Sequence, residues 1–499
     1  MIDNLIIAPV LIHLFTALLQ FVFWRKTRSQ RVISIIGSAT GFLVSLSLFV
    51  KVYQGEILTM NAANWEAPYG IVFVADMLSI TMVLLTSLAA FSVSLFSGAG
   101  VGRARMLYGY FPIFHFLIMG LNGAFLTGDI FNLYVWFEVI IISSFVLLTL
   151  GGRKTQLEGA VKYMALNILA SMFFLTGIGI LYGITGTLNM ADLSLKIPLV
   201  EDRSIVNLTS FFFLIGFGIK SAVFPLYFWL PASYHTPPSA VAATFGGLLT
   251  KVGLYALFRV FTLVFIPDEF LKSLLIIMAV LTILTGAFGA LIKNNVRRLF
   301  SYLIVCHIGF IVGGLGLYTK VAFMGAIMYL IHDILVKTNL FLISGLIRQL
   351  RGTMNMDRLG GLYSEYPKLS MLIAIVLFSL VGVPPLSGFW PKIYLFQVAF
   401  NTQNYLFIFG LILASFITLY VIAKLWSEVF WKPSPADLES DSFKALKLSK
   451  KFLLVAPITI LAAASLFVGL NVEFVVKVAD RISSELIDTS HYVKAVLHR

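Results

Sequence analysis

The stretch FGIKSAVFPLYFWLPASYHTPPSAVAATFGGLLTKVGLYALFRV, residues 217–260, places Lys220 and Lys251 inside apolar runs that are long enough to cross a bilayer. A crossing helix needs about 20 apolar residues, and a charge at mid-membrane costs roughly 2.5 to 3.5 kcal/mol. Three further apolar runs are interrupted in the same way, by Glu138, Lys337 and Lys392. Unless they are paired or hydrated, these charges together cost on the order of 10 kcal/mol, so the row that they form indicates a route for charge.

The composition is that of a membrane protein. Hydrophobic residues make up 59% of the 499 residues and charged residues only 12%, which is too little polar surface to cover a soluble globule. The net charge of +13 comes from basic residues in short loops between apolar runs, without a patch of interleaved aromatic residues, so we expect no nucleic-acid partner. The single cysteine, Cys306, excludes an internal disulfide.

The sequence contains none of the common motifs of soluble-enzyme chemistry. We find no phosphate-binding glycine loop, no HExxH helix and no nucleophile elbow, so direct ATP use or redox catalysis by this chain is not expected. We therefore expect a transporter subunit rather than an enzyme, and no cofactor. Whether the chain binds a metal ion stays open.

Fourteen apolar segments have the length of a membrane span. They are 4–24, 32–51, 71–97, 107–127, 130–150, 160–184, 205–230, 239–263, 270–291, 299–318, 321–347, 369–399, 404–430 and 452–473. With the N-terminus outside, most of the 36 Lys and Arg residues lie in inner loops, as the excess of positive charge on the cytoplasmic side requires. The sequence therefore predicts an all-α polytopic membrane protein with about 14 transmembrane helices and both termini outside.

Two segments in the middle of the chain resemble each other. PLYFWLP (225–231) and PLSGFWPK (385–392) share a Pro-Leu start, an aromatic-Trp pair and a following proline. Proline removes a backbone donor and clashes with the preceding turn, so we expect broken helices near Pro225 and Pro385. Broken helices at equivalent positions of two halves are typical of the ion site of a transporter.

This repeat divides the chain into four parts. We predict three N-terminal transmembrane helices in 1–106, a first five-helix repeat in 107–263, a second five-helix repeat in 264–430, and an inner loop, last span and tail in 431–499. Because five is odd, the two repeats enter the membrane from opposite sides. We predict that the tail after Asn471 is an interfacial amphipathic helix that docks on a partner or on the membrane surface.

Four stretches carry a resemblance to a known family: GDIFNLYVWFEVIIISSFVLLTLGG (128–152), the opening stretch 217–260, HDILVKTNLFLISG (332–345) and VPPLSGFWPKIYLF (383–396). They resemble the antiporter-like subunits shared by respiratory complex I, membrane-bound hydrogenases and Mrp-type multisubunit cation/proton antiporters. Within that superfamily, GDIFNLYVWFE, NWEAPYGIVFVAD (64–76) and SYHTPPSAVAATFGG are most similar to the D subunits of Mrp antiporters.

The resemblance implies a proton-transfer role for each residue of the row. In the family, the glutamate of the fifth helix pairs with the lysine of the broken seventh helix, and these match Glu138 and Lys220. The lysines that follow in the family match Lys251, Lys337 and the terminal Lys392.

Four more residues are candidates. His235, in SYHTPP, is the one match to a histidine that the complex I pumping chains carry after the seventh helix, and it is either a proton relay or a residue that hydrogen-bonds the loop. His307 and His332 lie on neighbouring helices and can bridge gaps through water. Asp333 precedes Lys337 by four residues and can pair with it on one helix face.

A carboxylate beside a buried lysine can act as a switch. Burial favours the neutral form of a lysine, whereas a carboxylate within about 4 to 6 Å restores the charged form. While Glu138 and Lys220 are in contact both stay charged, and when they separate Lys220 can release its proton towards Lys251. The alternatives are structural ion pairs for the buried lysines and, for Arg259 and Lys424 near span ends, snorkelling anchors.

Three functions compete. The resemblance implies a proton-translocating subunit of a multisubunit Na⁺/H⁺ antiporter in the inner membrane of a bacterial cell, which uses the proton gradient to expel sodium together with other subunits. The nearest rival is a pump module of an NADH-quinone oxidoreductase or a membrane-bound hydrogenase. The third is a self-contained secondary transporter in which the same charges line a substrate cavity.

Overall fold

The computed structural model describes residues 5–55, 57–434, 443 and 446–498, which fold almost entirely into α-helices. The N-terminal part consists of α1 Ala8–Val22, α2 Thr27–Gln54, β1 Leu58–Asn61, a 3₁₀ turn Ala62–Asn64, β2 Val72–Ala75 and α3 Met77–Gly100. The two strands pair antiparallel, with Leu58 opposite Ala75. Because residues 72–75 form a strand, the third span begins at Met77, later than the predicted start at residue 71.

The middle of the chain carries the first broken helix. Its elements are α4 Arg103–Leu107, α5 Tyr110–Leu126, α6 Ile130–Thr149, α7 Lys154–Thr185, α8 Met190–Lys196, a 3₁₀ turn Ile197–Leu199, α9 Arg203–Ser221, α10 Trp229–Ser233, α11 Ser239–Thr244, a π-helical turn Phe245–Leu249 and α12 Thr250–Leu263.

The remaining part carries the second broken helix. Its elements are α13 Glu269–Leu291, α14 Val296–Leu317, α15 Lys320–Arg351, a 3₁₀ turn Met356–Arg358, α16 Leu362–Glu365, α17 Pro367–Val381, α18 Phe389–Asn401, α19 Tyr405–Trp426, a π-helical turn Ser427–Trp431, α20 Leu448–Leu470, α21 Val472–Ile487 and α22 Ser490–Leu497.

The predicted fold class is confirmed. By length and composition, eleven helices among the described residues can cross a membrane, with Ser239–Leu263 counted as one span, and three shorter apolar helices, α1, α5 and α17, accompany them. Each of the fourteen predicted segments overlaps one of these helices. The predicted inner loop at the start of 431–499 lies partly outside the described residues.

Both predicted helix breaks are present. α9 ends at Ser221, where Ala222 adopts a left-handed conformation with φ 60°, and the chain becomes helical again at Trp229. α17 ends at Val381, where Gly382 has φ 88°, and α18 begins at Phe389. We call residues 222–228 the first break and residues 382–388 the second break.

The most buried helices lie at the centre of the fold. Nearly every residue of α12, α14 and α15 is buried, and α15 packs against α14, α18, α20 and α21. Peripheral helices such as α2 and α7 bury only 33% and 39% of their spans. The central part of the row, from Lys251 to Lys337, therefore sits on the most buried helices.

The C-terminal tail docks on this chain itself. Val475, Val478 and Ile482 of α21 are buried, and α21 packs along α15, with further contacts to α3 and α12. Arg481 donates to the backbone oxygens of Tyr53 and Gly55, both at 2.9 Å. The amphipathic helix was correctly predicted, but its apolar stripe covers the central helices, so the predicted docking on a partner or the membrane surface is wrong for that stripe.

Arg259 is not a snorkelling anchor. It is only 4% exposed, and its guanidinium forms an ion pair with Asp76, the N-cap residue of α3. The ring centroid of Tyr492, in α22, lies 4.9 Å from the guanidinium carbon. A buried carboxylate and an aromatic ring thus hold the charge of Arg259 inside the protein. From its place near the end of a span, the sequence suggests instead that the side chain reaches the surface.

Candidate functional site

A serine hydroxyl lies between the first two residues of the row. Ser171 on α7 donates to Glu138 on α6, with an Oγ–Oε1 distance of 2.5 Å. Lys220, at the end of α9, donates to the same hydroxyl at 3.4 Å, and its ammonium lies 4.6 Å from the ring centroid of Phe137. The ion pairs of the described residues do not include Glu138 with Lys220. The predicted pair is therefore bridged by Ser171 rather than in direct contact.

One carboxylate holds the centre of the row together. Asp333 on α15 places Oδ2 2.7 Å from Lys251 Nζ on α12. Its Oδ1 lies 3.4 Å from His307 Nδ1 on α14 and 3.9 Å from Lys337 Nζ, one turn along α15. All four side chains are fully buried. Asp333 does approach Lys337, as the spacing predicts, but its shortest contact is with Lys251.

Backbone carbonyl groups bind the same two lysines. Lys251 donates to the carbonyl of Gly246 at 2.9 Å, inside the π-helical turn, and Lys337 donates to the carbonyl of Leu303 at 3.1 Å. A π-helical turn widens the helix and is frequent at functional sites. Each ammonium has three donors, so at least one is left for water or for the next residue of the row.

The last part of the row lies at the second break. Lys392 donates to the carbonyl of Val381, the last residue of α17, at 2.7 Å, and its ammonium lies 5.7 Å from the ring centroid of Phe310. His332 Nδ1 is 2.8 Å from Ser387 Oγ in the second break. The structure therefore places His307, His332 and three of the four lysines on α15 or on helices that contact it.

A small cavity lies beside Lys220, among α6, α7 and the start of α12. It measures ≈10 Å³, which is roughly the space of one water molecule, and it is lined by Lys220, Asn167, Leu249 and Val252 among others. The hydroxyls of Ser221 and Thr250, which adjoin the two lysines in the chain, are buried and have no hydrogen-bond partner among the described residues. Polar groups and space for a water are thus available where the row is not directly connected.

His235 lies apart from the row, in the loop between α10 and α11. Its Nδ1 is 2.8 Å from the carbonyl oxygen of Pro231, and it lines a cleft of ≈270 Å³ together with Lys162, Lys293 and Arg298. Burial, followed by the positive charge of Arg298, lowers the pKa of His235 to about 4, although the bond to Pro231 opposes this shift. His235 is therefore neutral at pH 7.

Sequence reasoning missed several polar residues of the site. Ser171 has no recognisable signal, because a serine in an apolar helix is most often a packing residue. Ser387 lies inside the PLSGFW motif, and a hydroxyl within a break was a signal that could have been used. Tyr329, whose ring centroid is 5.5 Å from those of both His307 and His332, resembles the other aromatic residues of an apolar helix.

Comparisons with known proteins identify the family of the chain. A model of the family described as NADH:quinone oxidoreductase/Mrp antiporter, TM matches residues 127–418. The D subunit of the Na(+)/H(+) antiporter of Alkalihalophilus pseudofirmus is 40% identical over 496 residues, which cover 99% of each protein.

Solved structures are similar over the full length. A chain of the Mrp complex from Dietzia sp. DQ12-45-1b superposes with a TM-score of 0.91 at 26% identity, covering 100% of both chains. A chain of the membrane-bound sulfane sulfur reductase, an archaeal respiratory membrane complex, gives a TM-score of 0.91 at 26% identity, covering 99% of this chain and 100% of that chain. The resemblance inferred from the motifs is confirmed: the chain belongs to the NADH:quinone oxidoreductase/Mrp antiporter transmembrane family and, within it, to the Na⁺/H⁺ antiporter D subunits.

Proposed function

We propose that the chain is a proton-translocating subunit of a multisubunit Na⁺/H⁺ antiporter and that it carries protons along the row from Glu138 to Lys392. One observation carries the proposal: the fully buried Asp333 lies between Lys251, His307 and Lys337, so that one carboxylate faces three bases. A structural ion pair needs one base. Three bases around one acid allow a proton to be redistributed without creating an unpaired buried charge, which would be costly.

The first step is a switch at Glu138, Ser171 and Lys220. In the closed form, Lys220 is protonated and donates to the Ser171 hydroxyl, which donates its own hydrogen to the ionised Glu138. Protonation of Glu138 removes the negative charge that stabilises the protonated form of Lys220. Lys220 then releases its proton through the water-sized cavity towards Lys251.

The second step takes place around Asp333. A neutral Lys251 accepts the arriving proton while Asp333 stabilises the charge at 2.7 Å. In the next transfer Lys251 loses its proton and Lys337 gains one. The carboxylate of Asp333 then makes its shorter contact with Lys337 instead of Lys251. From Lys337 the proton continues through His307 and His332 to Lys392.

The proposal includes partners and a location. Glu138 is only half-buried in the middle of a span, and a charge in that position is stable when another subunit or water covers it. We therefore place the chain in an assembly with further antiporter subunits, in the inner membrane of a bacterial cell and with both termini outside. The five-helix units 107–263 and 264–430 are inverted repeats in this proposal, with one break in each.

The test is Na⁺-dependent dissipation of a pH gradient by the reconstituted whole assembly. Replacing Glu138 with alanine removes the acceptor of the switch, and we expect exchange to fall by at least about a hundredfold, within the range typical of positioned acid–base groups. The matched control is Glu158→Ala, which removes an exposed carboxylate paired with Lys162 at 2.8 Å on neighbouring α7. Wild-type exchange in the Glu138→Ala assembly would contradict the proposal.

The same assay separates the rival function. The equal TM-scores to the Mrp chain and to the sulfane sulfur reductase chain make a respiratory pump module the second candidate. An antiporter exchanges Na⁺ for H⁺ with no electron donor or acceptor present. A pump module moves protons only when its redox substrates are supplied, and that result would select the second candidate.

A further inference from the structure

A cleft of ≈270 Å³ lies where the ends of several helices meet, beside the loop that carries His235. Its lining comes from the start of α7, from α10 and the loop behind it, and from the connection of α13 to α14 together with the start of α14. The charged lining residues are Glu158, Lys162, Lys293 and Arg298. Ligand sites commonly measure about 300 to 1,000 Å³, so the cleft is large enough for a small group and too small for a whole lipid.

The positive charge of the cleft is not balanced within the described part of the chain. Lys162 pairs with Glu158 at 2.8 Å, an exposed contact between neighbouring turns of α7. Lys293 and Arg298 belong to no ion pair and to no side-chain hydrogen bond among the described residues. Burial lowers the pKa of His235 to about 4 and the charge of Arg298 adds to this shift, so that charge acts inside the cleft. Two positive charges are therefore available to an anion.

Two of the helices around the cleft begin with basic residues. α14 has Arg297 and Arg298 in its first turn, α7 begins with Lys154 after Arg153, and neither first turn contains an acidic residue. The N-terminus of a helix carries a partial positive charge, so acidic side chains and bound anions stabilise it and basic side chains do not. Thr155 of α7 and Arg298 of α14 both line the cleft. An anion bound there lies near both N-termini and reduces this repulsion.

Exposed apolar side chains border the cleft on two sides. Leu157 and Val161 of α7 are exposed, as are Phe288 and Ile292 at the end of α13. Apolar side chains on the outside of a membrane span are suited to contact with acyl chains. A free phosphate would use the charges of the cleft but not these apolar borders, whereas a phospholipid uses both. Basic pockets between transmembrane helices at the membrane surface are typical headgroup sites.

We propose that this cleft binds the phosphate group of an anionic phospholipid, with Lys293 and Arg298 as its main contacts and Lys162 at the edge. The lipid belongs to the leaflet at the basic end of the chain, the predicted inner side. The planar guanidinium of Arg298 can donate two parallel hydrogen bonds to phosphate oxygens, and Lys293 supplies a point charge. The proposal goes beyond the proton path and stands whether or not Glu138 takes part in proton transfer.

The competing explanation is that these basic residues only orient the chain in the membrane. Basic residues in short loops do so wherever in the loops they lie. That explanation predicts no preference for one kind of lipid at the cleft. A phosphate site predicts such a preference, and predicts that it depends on Lys293 and Arg298, the two bases without a carboxylate partner among the described residues.

The experiment places the photo-crosslinking residue p-benzoylphenylalanine at Phe228, an exposed residue that lines the cleft, in the whole assembly. Vesicles contain equal parts of phosphatidylglycerol and phosphatidylcholine, and mass spectrometry identifies the lipid that is crosslinked to the chain. We expect phosphatidylglycerol to exceed phosphatidylcholine at least about fivefold, the factor that one basic residue contributes near an anionic surface. Lys293→Ala and Arg298→Ala together should bring this ratio close to one.

Arg298→Lys keeps the charge and should keep the preference, which separates lipid binding from a folding defect. Lys368→Ala with Lys450→Ala removes two exposed lysines on the predicted inner side that do not line the cleft, and should leave the ratio unchanged. A ratio near one without these substitutions, or a ratio that survives the loss of Lys293 and Arg298, overturns the proposal. Displacement of the lipid by millimolar inorganic phosphate, but not by chloride at the same ionic strength, would identify the free anion as the ligand and overturn the lipid as its source.

Discussion

The two breaks place a lysine in similar positions but give it different partners. Lys220, just before the first break, is connected to the carboxylate of Glu138 through Ser171. Lys392, just after the second break, is bound by the carbonyl of Val381, and no described ion pair includes it. A carboxylate can gain and lose charge, whereas a carbonyl cannot. The partner at the first break can therefore change its charge, whereas the partner at the second break cannot.

The breaks also differ in what keeps them in place. At the first break the indole of Trp229 donates to the carbonyl of Ile219, on the helix that has just ended, at 3.0 Å. At the second break the indole of Trp390 donates to the carbonyl of Gly469 on α20 at 2.9 Å. The first break is thus held by its own broken helix and by α13, where Thr282 Oγ1 accepts from the amide of Phe224 at 2.9 Å. The second depends on the last spanning helix, whose Ser465 Oγ also lies 2.8 Å from Ser387 Oγ in the break.

The largest effects are expected from removing the two lysines. Lys220→Ala takes away the proton carrier of the switch and Lys392→Ala the terminal carrier, so each should lower Na⁺-dependent exchange by at least about a hundredfold while the chain still inserts into the membrane. Exchange in inverted vesicles, with the amount of chain measured by immunoblotting, tests this.

Lys424→Ala is the matched control, since Lys424 lies half-buried near the end of α19, and the one hydrogen bond of its ammonium among the described residues is to Asn294 at 3.1 Å. If Lys392→Ala retains appreciable exchange while Lys220→Ala does not, the terminal role of Lys392 is wrong. Retention in both variants would remove the row as a proton path.

A smaller effect is expected at Ser171, which has no counterpart beside Lys392. Ser171→Ala removes the hydroxyl between Glu138 and Lys220 but leaves both charged groups, so we expect exchange to slow by about tenfold, comparable to the loss of one hydrogen bond to a charged group. The rate should be measured across a range of external pH, since a weakened switch shifts the pH at which Lys220 releases its proton.

Thr176→Ala is the control for Ser171, because Thr176 lies on the same helix and its one side-chain bond within the described part of the chain is to the carbonyl of Met172, at 2.8 Å. Equal rates and equal pH profiles for the wild type and Ser171→Ala would show that the hydroxyl is a packing group. The comparison between the breaks would then depend on Glu138 alone.

The two tryptophans are expected to contribute unequally to stability. Trp229 is 1% exposed, so water cannot replace the bond that Trp229→Phe removes, while the carbonyl of Ile219 still accepts from the amide of Ala222 at 3.0 Å. We expect a cost of about 0.5 to 1.5 kcal/mol. Trp390 is half-buried, and water can replace its bond to Gly469, so Trp390→Phe should cost less than about 1 kcal/mol. Thermal unfolding of the purified assembly measures both. A larger loss for Trp390→Phe would mean that the second break is the more tightly closed one.

The sequence was sufficient for the architecture and for the charged residues of the site, for physical reasons. Apolar runs, prolines and charges inside spans each leave a local signal, so the fourteen segments, both breaks and the lysines could be predicted. Contacts between side chains on different helices leave no such signal in the sequence. Asp333 is four residues from Lys337 in the chain yet contacts Lys251 more closely, because the approach of α12 to α15 is a property of the packed helices. Ser171 and Ser465 were missed for the same reason.

The smallest effect concerns His235, since only the first break is followed by a histidine, in the loop before α11. Its pKa is lowered to about 4, chiefly by burial, from 6.5. Between these two pH values the unfolded chain binds a proton that the folded chain does not, so lowering the pH through this window destabilises the folded state. At pH 7 the ring is neutral in both states, and His235→Gln should leave exchange within about twofold of the wild type while making stability less dependent on pH.

NMR of selectively labelled histidine in the assembly would report the titration directly, with the His235→Gln variant identifying the signal. A midpoint near 6.5 would show that the ring is solvated and that the cleft which it lines is open to water at the first break. A loss of exchange in His235→Gln together with a midpoint near 6.5 would make His235 a proton relay into the row, and the first break would then have a proton-accepting group on both sides, which the second break lacks.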